Sequence, residues 1–419
     1  MRFGINTLDD FEFRGKTVLC RLDLNSPFDQ TKKRLRDITR IKNCLPTIRE
    51  LRDKSAKLVL LTHQGGDLEY QNFVSTKYHA EVISELLGYP VKFIDDVCGP
   101  AARKAIKNLK EGEILLLENV RYMAEEMTFF ETKMRLSPAE QANTIVVKKL
   151  APLGDVYVCE AFSAAHRSQP TLVGFPELLP SAMGRLFEKE LEALTKIVEN
   201  PEHPCIFLLG GAKVDDAFLI IDKVLQEGVA DLVLTGGLVG NIMLLAKGVV
   251  LGEPSTNVIK KLNFEYLIDI AKQIQNKYTG KIMTPEDLAY AKNGERVEIS
   301  TDSLPVERQL VDIGQNTIQI YQKEICKAKT IFINGPVGMY EMDSAELGTK
   351  TLWEKIASTS AFTLIGGGDS IAAASKYGLN GKFSFVSTGG GAMIRFVAGE
   401  ELPVIKALKK SSLNFWHGN

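Results

Sequence analysis

Charged and hydrogen-bonding side chains follow the apolar, strand-like runs in the first half of the chain. A lone arginine is most often a solvated surface charge, but three that follow strands of one predicted sheet indicate a site for a small, highly anionic molecule. Guanidinium groups suit such a site because they bind phosphate and carboxylate in a bidentate manner. Neither histidine has the spacing of a metal ligand. In chain order the candidates are Asp23, Asn25, Arg40, His63, Arg121, His166 and Arg167.

Glycine-rich loops take the same positions in the second half. Glycine lets backbone amides approach a ligand and point into one concavity, which suits phosphate oxygens. One glycine pair is usually only a turn, whereas five glycine loops on one predicted sheet edge favour a phosphate site. The loops are Gly210-Gly211-Ala212-Lys213, Thr235-Gly236-Gly237, Asn334-Gly335-Pro336-Val337-Gly338, Gly366-Gly367-Gly368-Asp369-Ser370 and Thr388-Gly389-Gly390-Gly391.

Two charged residues in these loops could act on a phosphoryl group. Lys213 follows a glycine pair and can neutralise a migrating phosphoryl group. Asp369 follows three glycines and can hold Mg²⁺, which favours one or two carboxylates together with phosphate oxygens. The chain has no G-x-x-x-x-G-K-[ST] motif and no G-x-G-x-x-G motif after its first strand. Their absence disfavours a P-loop nucleoside triphosphatase and the usual dinucleotide-binding dehydrogenase.

Short apolar, β-branched runs alternate with stretches of helical periodicity along the whole chain. Near-continuous apolar strands between helices are typical of parallel sheets covered on both faces. Ligands bind beyond the carboxyl ends of such strands. We therefore predict two open, doubly wound α/β domains with the candidate residues at the strand ends. The predicted strands are 17–25, 57–63, 91–94, 113–119, 155–162, 205–211, 231–237, 281–284, 330–336, 361–368 and 383–391.

Length and charge narrow the class of protein. The 419 residues exceed the size at which one hydrophobic core usually stops growing, which indicates two domains. The 51 basic and 52 acidic side chains nearly cancel, so no net field attracts nucleic acid or an anionic membrane. The six cysteines form no C-x-x-C pair, and neither a signal peptide nor a membrane-spanning run is visible. We therefore expect a cytoplasmic protein without a zinc site or a disulfide framework.

A helix is predicted between the two halves, because leucine, isoleucine and valine form one apolar stripe over 186–199. Asn200-Pro201 should end it, since proline disfavours the α conformation in the preceding residue. The predicted organisation is a first domain at 1–185, a linking helix at 186–200 and a second domain at 201–402. Beyond it lie a short helical stretch and the aromatic pair Phe415-Trp416, which we expect to pack on some surface.

Eight motifs resemble those of phosphoglycerate kinases, in the order found in that family, and they cover nearly the whole chain. The phrase HRSQPTLVGFPELLPSAMGR is most similar to the archaeal-type branch of the family. The motifs are RLDLNSP at 21–27, RIKNCLPTI at 40–48, LLLENVR at 115–121, EAFSAAHRS at 160–168, LGGAKV at 209–214, NGPVGMYE at 334–341, GGGDS at 366–370 and STGGGA at 387–392.

The resemblance implies two Rossmann-like domains joined by the long helix, with the tail 403–419 returning to the first domain. It implies the glycolytic and gluconeogenic reaction in which 1,3-bisphosphoglycerate and ADP give 3-phosphoglycerate and ATP, with Mg²⁺ as cofactor. Because the two ligands of such a kinase bind different domains, hinge closure should bring them together. We expect a monomer rather than a dimer, with no nucleic-acid or membrane partner.

The resemblance also implies a role for each candidate residue. The substrate-binding residues would be Asp23, Asn25, Arg40, His63, Gly66, Arg121 and Arg167. The nucleotide-binding residues would be Gly211, Lys213, Gly236, Gly237, Asn334, Pro336, Gly338, Glu341, Gly366, Gly367, Gly368, Asp369 and Ser370. Arg40 and Lys213 would be catalytic, Glu341 would lie on the ribose and Asp369 would carry Mg²⁺. The transferred phosphoryl group would meet the amides of Gly367, Gly390 and Gly391.

Two positions depart from the family pattern. Most members have arginine where this chain has Gly66, and many have lysine where this chain has Ala217. Each change removes one cation from an anion site. Gly66 is therefore interpreted either as a missing substrate cation or as a turn residue with positive φ, which arginine would strain.

Three other functions remain open. A kinase for another carboxylate or sugar phosphate would differ in its substrate profile. A non-catalytic two-lobed binding protein is disfavoured by the presence of both Lys213 and Asp369. A Rossmann dehydrogenase is disfavoured by the missing glycine motif.

Overall fold

The computed structural model describes residues 1–66 and 71–415. These residues form two compact units. One comprises Met1–Leu191 together with the described chain from Glu401, and the other comprises Glu192–Glu400.

A parallel sheet forms the centre of the first unit. Its strands, with those of a small hairpin, are β1 (Thr17–Arg21), β2 (Phe28–Asp29), β3 (Arg34–Leu35), β4 (Lys57–Leu61), β5 (Val91–Ile94), β6 (Ile114–Leu117), β7 (Val156–Cys159) and β8 (Ser181–Met183). The helices up to the unit's boundary are α1 (Thr39–Asp53), α2 (Lys77–Leu87), α3 (Pro100–Lys107), α4 (Thr128–Met134), α5 (Pro138–Gln141), α6 (Ile145–Leu150) and α7 (Arg185–Val198). The sheet has the order β5-β6-β4-β1-β7-β8, and β2 pairs with β3.

The second unit is built around a second parallel sheet. Its strands are β9 (Cys205–Leu209), β10 (Leu232–Thr235), β11 (Ile282–Met283), β12 (Asp287–Lys292), β13 (Glu295–Ser300), β14 (Leu310–Ile313), β15 (Thr330–Asn334), β16 (Phe362–Gly366) and β17 (Phe385–Val386). Its helices are α8 (Val214–Gln226), α9 (Gly237–Ala246), α10 (Glu253–Lys261), α11 (Leu267–Lys277), α12 (Gln315–Ile325), α13 (Leu347–Ala357), α14 (Gly368–Lys376) and α15 (Gly391–Val397). The parallel sheet has the order β11-β10-β9-β15-β16-β17.

The predicted fold class, two doubly wound α/β domains, is confirmed. The central strands β9 and β15 are buried at every position, as expected for a sheet covered on both faces. The predicted strands run past the observed ends, because the residues that follow remain buried after leaving the sheet. Leu22 and Leu24, for example, are fully buried beyond the end of β1.

A three-stranded antiparallel sheet, β13-β12-β14, lies outside the predicted pattern. Strands β12 and β13 have six residues each, but both are partly exposed and carry charged side chains, so they lack the apolar runs on which the prediction depended. Asn293 and Gly294 join them with φ values of 55° and 84°. A two-residue Asn-Gly loop with positive φ at both positions is a strong hairpin signal, and it could have revealed this sheet.

The linking helix α7 ends at Val198, before Asn200-Pro201, close to the predicted 186–200. Its first amides are satisfied by groups of the first unit. The Glu160 carboxylate accepts hydrogen bonds from the backbone N–H of Leu186 at 3.0 Å and of Phe187 at 3.3 Å.

The last helix, α16 (Pro403–Asn414), packs on the first unit. The Val404 N–H donates to the Ala165 carbonyl at 3.2 Å, and the Asn6 N–H donates to Ser412 Oγ at 2.9 Å. The predicted tail 403–419 and the pair Phe415-Trp416 extend past this helix, and residues 416–419 lie outside the described residues.

Candidate active site

The polar candidates of the first unit follow four adjacent strands, β6, β4, β1 and β7. Because the strands are parallel, their carboxyl ends meet at one edge of the sheet. A cavity of about 1070 Å³ opens there. It is lined by six predicted residues, Asp23, Asn25, His63, Gly66, Arg121 and Arg167, together with the candidate His166.

Asp23 is the centre of this cluster. Its carboxylate accepts hydrogen bonds from Arg40 Nη1 and from the Ser163 hydroxyl. The Asn25 N–H donates to the same carboxylate at 3.1 Å. Burial alone would raise the pKa of Asp23, but the charge of the nearby Arg40 and the hydrogen bonds from Ser163 and Asn25 outweigh it and hold the pKa below its ordinary value. Arg40 does not line the cavity, but this contact places it at the cavity's edge.

His63 is held in one tautomer. Arg21 Nη2 lies 3.1 Å from His63 Nδ1, and because a guanidinium can only donate, Nδ1 accepts and the proton of the neutral ring lies on Nε2. That nitrogen lies 3.6 Å from Asp23 Oδ1. Burial lowers the pKa of His63 well below its ordinary value, and the charges of Arg21, Arg121 and Arg40 act in the same direction. His63 therefore acts as a neutral hydrogen-bonding group.

The buried Arg21 was not among the predicted site residues. Its Nε donates to Thr171 Oγ1 at 2.9 Å, and Thr171 donates in turn to the buried Glu126 carboxylate at 2.9 Å. Arg21 is thus linked through Thr171 to the buried Glu126 carboxylate. This contact at Nε holds the guanidinium so that its Nη2 lies against His63. An arginine inside an apolar strand, as in TVLCRLDLN, is the sequence signal that could have identified it.

The loop after β4 contains two consecutive glycines, Gly65 and Gly66, which differ in backbone conformation and surroundings. Gly65 has φ +74°, and a Cβ there would lie 2.5 Å from the backbone of Asn72 and Phe73. Gly66 has no positive φ, and among the described residues its Cβ would meet Arg121 Nη1, at 3.2 Å. The interpretation of Gly66 as a turn residue is therefore wrong, because Gly65 makes the turn. Asp67, the residue that follows Gly66, lies outside the described residues.

Helix α4 supplies a partner for the loop that carries Arg167. The Glu131 carboxylate accepts a hydrogen bond from the Ser168 N–H at 2.7 Å and one from Gln169 Nε2 at 3.1 Å. Arg167 Nη1 lies 3.7 Å from the same carboxylate, and a third of the Arg167 side chain remains exposed. Arg167 is therefore oriented by Glu131 and still accessible from the cavity.

The glycine loops of the second unit follow five adjacent strands, β10, β9, β15, β16 and β17. Two adjoining cavities share Gly211, Ala212 and Asp369. The larger, about 320 Å³, is mostly apolar and also includes Gly237, Pro336, Gly338 and Glu341. The smaller, about 90 Å³, also includes Lys213, Asn334, Gly367, Gly368 and Ser370.

Most amides of the first two glycine loops are already used inside the protein. The N–H of Gly210 donates to the Asn334 carbonyl at 3.0 Å, and the N–H of Gly211 donates to the Pro336 carbonyl at 2.7 Å. Gly236 and Gly237 donate to backbone carbonyls as well. A Cβ at Gly210 would lie 2.3 Å from the Pro336 oxygen. The expectation that these amides point into the concavity is therefore wrong, since the glycines instead allow neighbouring loops to touch backbone to backbone.

The start of α14 is different. The first backbone amides of a helix have no partner inside it, and here they belong to Gly368, Asp369 and Ser370 at the rim of the smaller cavity. The Gly335 N–H donates to Ser370 Oγ at 2.7 Å, which ties this turn to the loop after β15. Lys213 and Asp369 make no hydrogen bond or ion pair with any residue in 1–66 or 71–415. Both charges are thus available to a ligand.

Some predicted residues line neither cavity. They are Gly236, Gly366, Gly390 and Gly391. A Cβ at Gly236 would lie 2.5 Å from the Val337 side chain, and one at Gly366 would lie 2.1 Å from Met393 Sδ, so both permit close packing. Ala217, the second position predicted to depart from the family pattern, is fully buried in α8.

Within the described part of the chain, no group of three or more His, Cys, Asp and Glu side chains could hold a metal ion. A metal would therefore depend on ligand oxygens in addition to Asp369. Of the described helices, none has the length and apolarity needed to cross a membrane.

Comparison with known proteins identifies the family of the whole chain. A model of the family described as phosphoglycerate kinase matches residues 8–400. The phosphoglycerate kinase of Methanothermus fervidus is 44% identical over 409 residues, which cover 98% of each chain. The crystal structure of phosphoglycerate kinase from Pyrococcus horikoshii has a TM-score of 0.88 and 43% identity, covering 98% of this chain and 100% of that one. The Coxiella burnetii enzyme has a TM-score of 0.82 and 28% identity, with coverages of 97% and 99%.

The higher identity to the archaeal proteins confirms the predicted resemblance to the archaeal-type branch. The family model and the full-length relatives lead to the same conclusion: the chain belongs to the phosphoglycerate kinase family.

Proposed function

We propose that the cavity of the first unit binds the phosphoglycerate and that the two cavities of the second unit bind the nucleotide in the phosphoglycerate kinase reaction. The reaction is a reversible phosphoryl transfer between ATP and the carboxylate of 3-phosphoglycerate. The observation that carries the assignment is the contrast between the two rims. One presents arginines and a neutral histidine, and the other presents an apolar cavity beside a small, glycine-lined one. In this assignment the phosphoglycerate-binding domain is 1–185, the linking helix is 186–200 and the nucleotide-binding domain is 201–402.

The first cavity matches a small molecule with two anionic ends. Arg121 and Arg167 would bind the phosphate, because charge-assisted, bidentate contacts are the strong ones. Asp23 and Asn25 would bind the glycerate hydroxyl and carboxylate region, and Arg40 would lie near the transferred group. Asp23 suits a hydroxyl because its low pKa keeps it an acceptor.

No general base is needed for this transfer, since the attacking carboxylate is already ionised at neutral pH. The state of His63 agrees with this, because its Nδ1 already accepts from Arg21. Catalysis would then rest on positioning and charge neutralisation, which is how phosphoryl transfer is usually accelerated. Arg40 from the first unit and Lys213 from the second would supply the cations, and the first amides of α14 would bind phosphate oxygens.

The residues present fit Mg²⁺. This ion usually takes one or two carboxylates together with phosphate oxygens and water, rather than a protein cage. Asp369 is exposed, lines both cavities of the second unit and has no competing cation among the described residues. We propose that Asp369 holds Mg²⁺ with the nucleotide phosphates, where the ion would neutralise phosphate charge.

The assignment of the two substrates can be tested by calorimetric titration of Arg167→Ala with 3-phosphoglycerate and with ADP. Loss of one charge-assisted contact, worth roughly 1.5–3 kcal/mol, should weaken 3-phosphoglycerate binding about 10-fold or more. The Kd for ADP should not change. Lys92→Ala is a matched control, because Lys92 pairs with Glu113 away from the cavity and should alter neither Kd. Weaker ADP binding with unchanged 3-phosphoglycerate binding would show that the sites are assigned the wrong way round.

Gly66→Arg should lower KM for 3-phosphoglycerate several-fold and leave KM for ATP nearly unchanged. The new side chain would start 3.2 Å from Arg121 Nη1, so a second guanidinium would join the same anion site without strain in the backbone. Steady-state kinetics and thermal melting measured together check this. Gly65→Ala is the contrasting variant, since its positive φ and tight surroundings should lower the melting temperature. A higher KM for 3-phosphoglycerate in Gly66→Arg would rule out the missing-cation interpretation.

A further inference from the structure

The side chain of Asn241 is a polar group in the mostly apolar lining of the larger cavity of the second unit. Asn241 lies on α9, four residues after Gly237, so the two share one face of the helix. It lines the cavity and is 6% exposed. The residues that share this lining are mainly apolar, and they include Leu238, Val258, Leu262, Leu288 and Leu310.

The amide of Asn241 has no hydrogen-bond partner among residues 1–66 and 71–415. Its amide atoms are not enclosed by the protein, so they stay accessible from the cavity and open to a ligand group. A ligand that covered them without pairing with them would lose free energy. The polar neighbour of Asn241, Asp312, shows the contrast. Asp312 accepts from Arg296 Nη1 at 2.8 Å, from the Gly348 N–H at 2.8 Å and from the Ile313 N–H at 2.9 Å. Asp312 is therefore occupied, whereas Asn241 presents a donor and an acceptor to the cavity.

We propose that Asn241 reads the purine base of the nucleotide and is a specificity-determining residue of this enzyme. The inference rests on the proposed function, which places the nucleotide in this cavity. An amide can accept from the 6-amino group of adenine through Oδ1 and donate to the adjacent ring nitrogen through Nδ2. A base without the 6-amino group would leave Oδ1 buried and unpaired. A site that hydrogen-bonds a substrate group discriminates strongly against analogues lacking it.

The test compares ATP with the 5′-triphosphate of purine riboside, which has hydrogen in place of the 6-amino group. In the unmodified enzyme, kcat/KM for the analogue should be about 10- to 100-fold lower than for ATP, mostly through KM. Asn241→Leu should remove this difference, raise KM for ATP and leave KM for 3-phosphoglycerate unchanged. Asn257→Leu makes the same chemical change on α10 outside the cavity, and it should preserve the discrimination.

Each outcome decides the inference. Equal kcat/KM for the two nucleotides in an active, unmodified enzyme would overturn it, as would full discrimination in a folded Asn241→Leu enzyme. If Asn241→Leu fails to fold, the ratio in the unmodified enzyme decides. Absence of any ATP-dependent phosphorylation of 3-phosphoglycerate would instead contradict the proposed function, so the two failures can be told apart.

Discussion

Arg40→Ala should lower kcat by about 10²-fold or more, as expected when a cation that stabilises the transition state is removed. Arg40 lies in the first turn of α1, and its Nη1 contacts the Asp23 carboxylate and lies 3.2 Å from Ser163 Oγ. These two contacts fix the guanidinium at the cavity's edge, with over a third of the side chain exposed. The group is thus positioned in advance for charge that develops on the transferred phosphoryl group.

Steady-state kinetics checks this prediction, with Arg40→Lys as the matched control. Lysine keeps the charge but loses the planar fork, so its kcat should fall between those of the unmodified enzyme and Arg40→Ala. Thermal melting is needed beside the kinetics, because Asp23 would lose its cation and some stability with it. A variant that changes only KM would show that Arg40 binds the ground-state substrate and does nothing more in the transition state.

Lys213→Ala should lower kcat by about 10²- to 10³-fold while ADP still binds. Lys213 lies at the start of α8 and lines the smaller cavity. Its exposed ammonium has no hydrogen bond or ion pair within the described chain, so removing it should not lower the melting temperature. The loss should therefore appear in turnover and not in folding.

Calorimetry with ADP and steady-state assays of the same preparation check this prediction. Lys213→Arg, which keeps a cation at this position, should retain more activity than Lys213→Ala. If Lys213→Ala kept full activity, the phosphoryl-binding part of the site would have to lie elsewhere. If it lost ADP binding altogether, Lys213 would be a ground-state binding residue.

The sequence was sufficient to predict both parallel sheets and the edge of each sheet at which the cavities lie. The end of an apolar strand such as TIFIN or CIFLL is visible in the sequence, because glycine follows the apolar run. The residues that follow parallel strands lie at one edge of the sheet. Asp23, His63, Arg121 and Arg167 line one cavity for this reason. Lys213, Asp369 and Ser370 line another for the same reason.

The contacts between those residues could not be predicted. That Ser163 and Arg40 share one carboxylate of Asp23, and that Arg21 fixes the tautomer of His63, depends on side-chain geometry across neighbouring strands. The positions of the glycine loops were predicted correctly, but the role predicted for the first of them was wrong. Their composition suggested free amides, but Gly210 and Gly211 donate to backbone carbonyls of the next loop.

The most direct measurement of the central claim is a coupled assay of ATP-dependent phosphorylation of 3-phosphoglycerate by the purified protein. Activity should require both substrates and Mg²⁺. Substitution of 3-phosphoglycerate by glycerate, which lacks the phosphate that Arg121 and Arg167 would bind, should reduce kcat/KM by at least two orders of magnitude, since two charge-assisted contacts are lost. Turnover of glycerate at a rate comparable to that of 3-phosphoglycerate, or no turnover of either, would contradict the account.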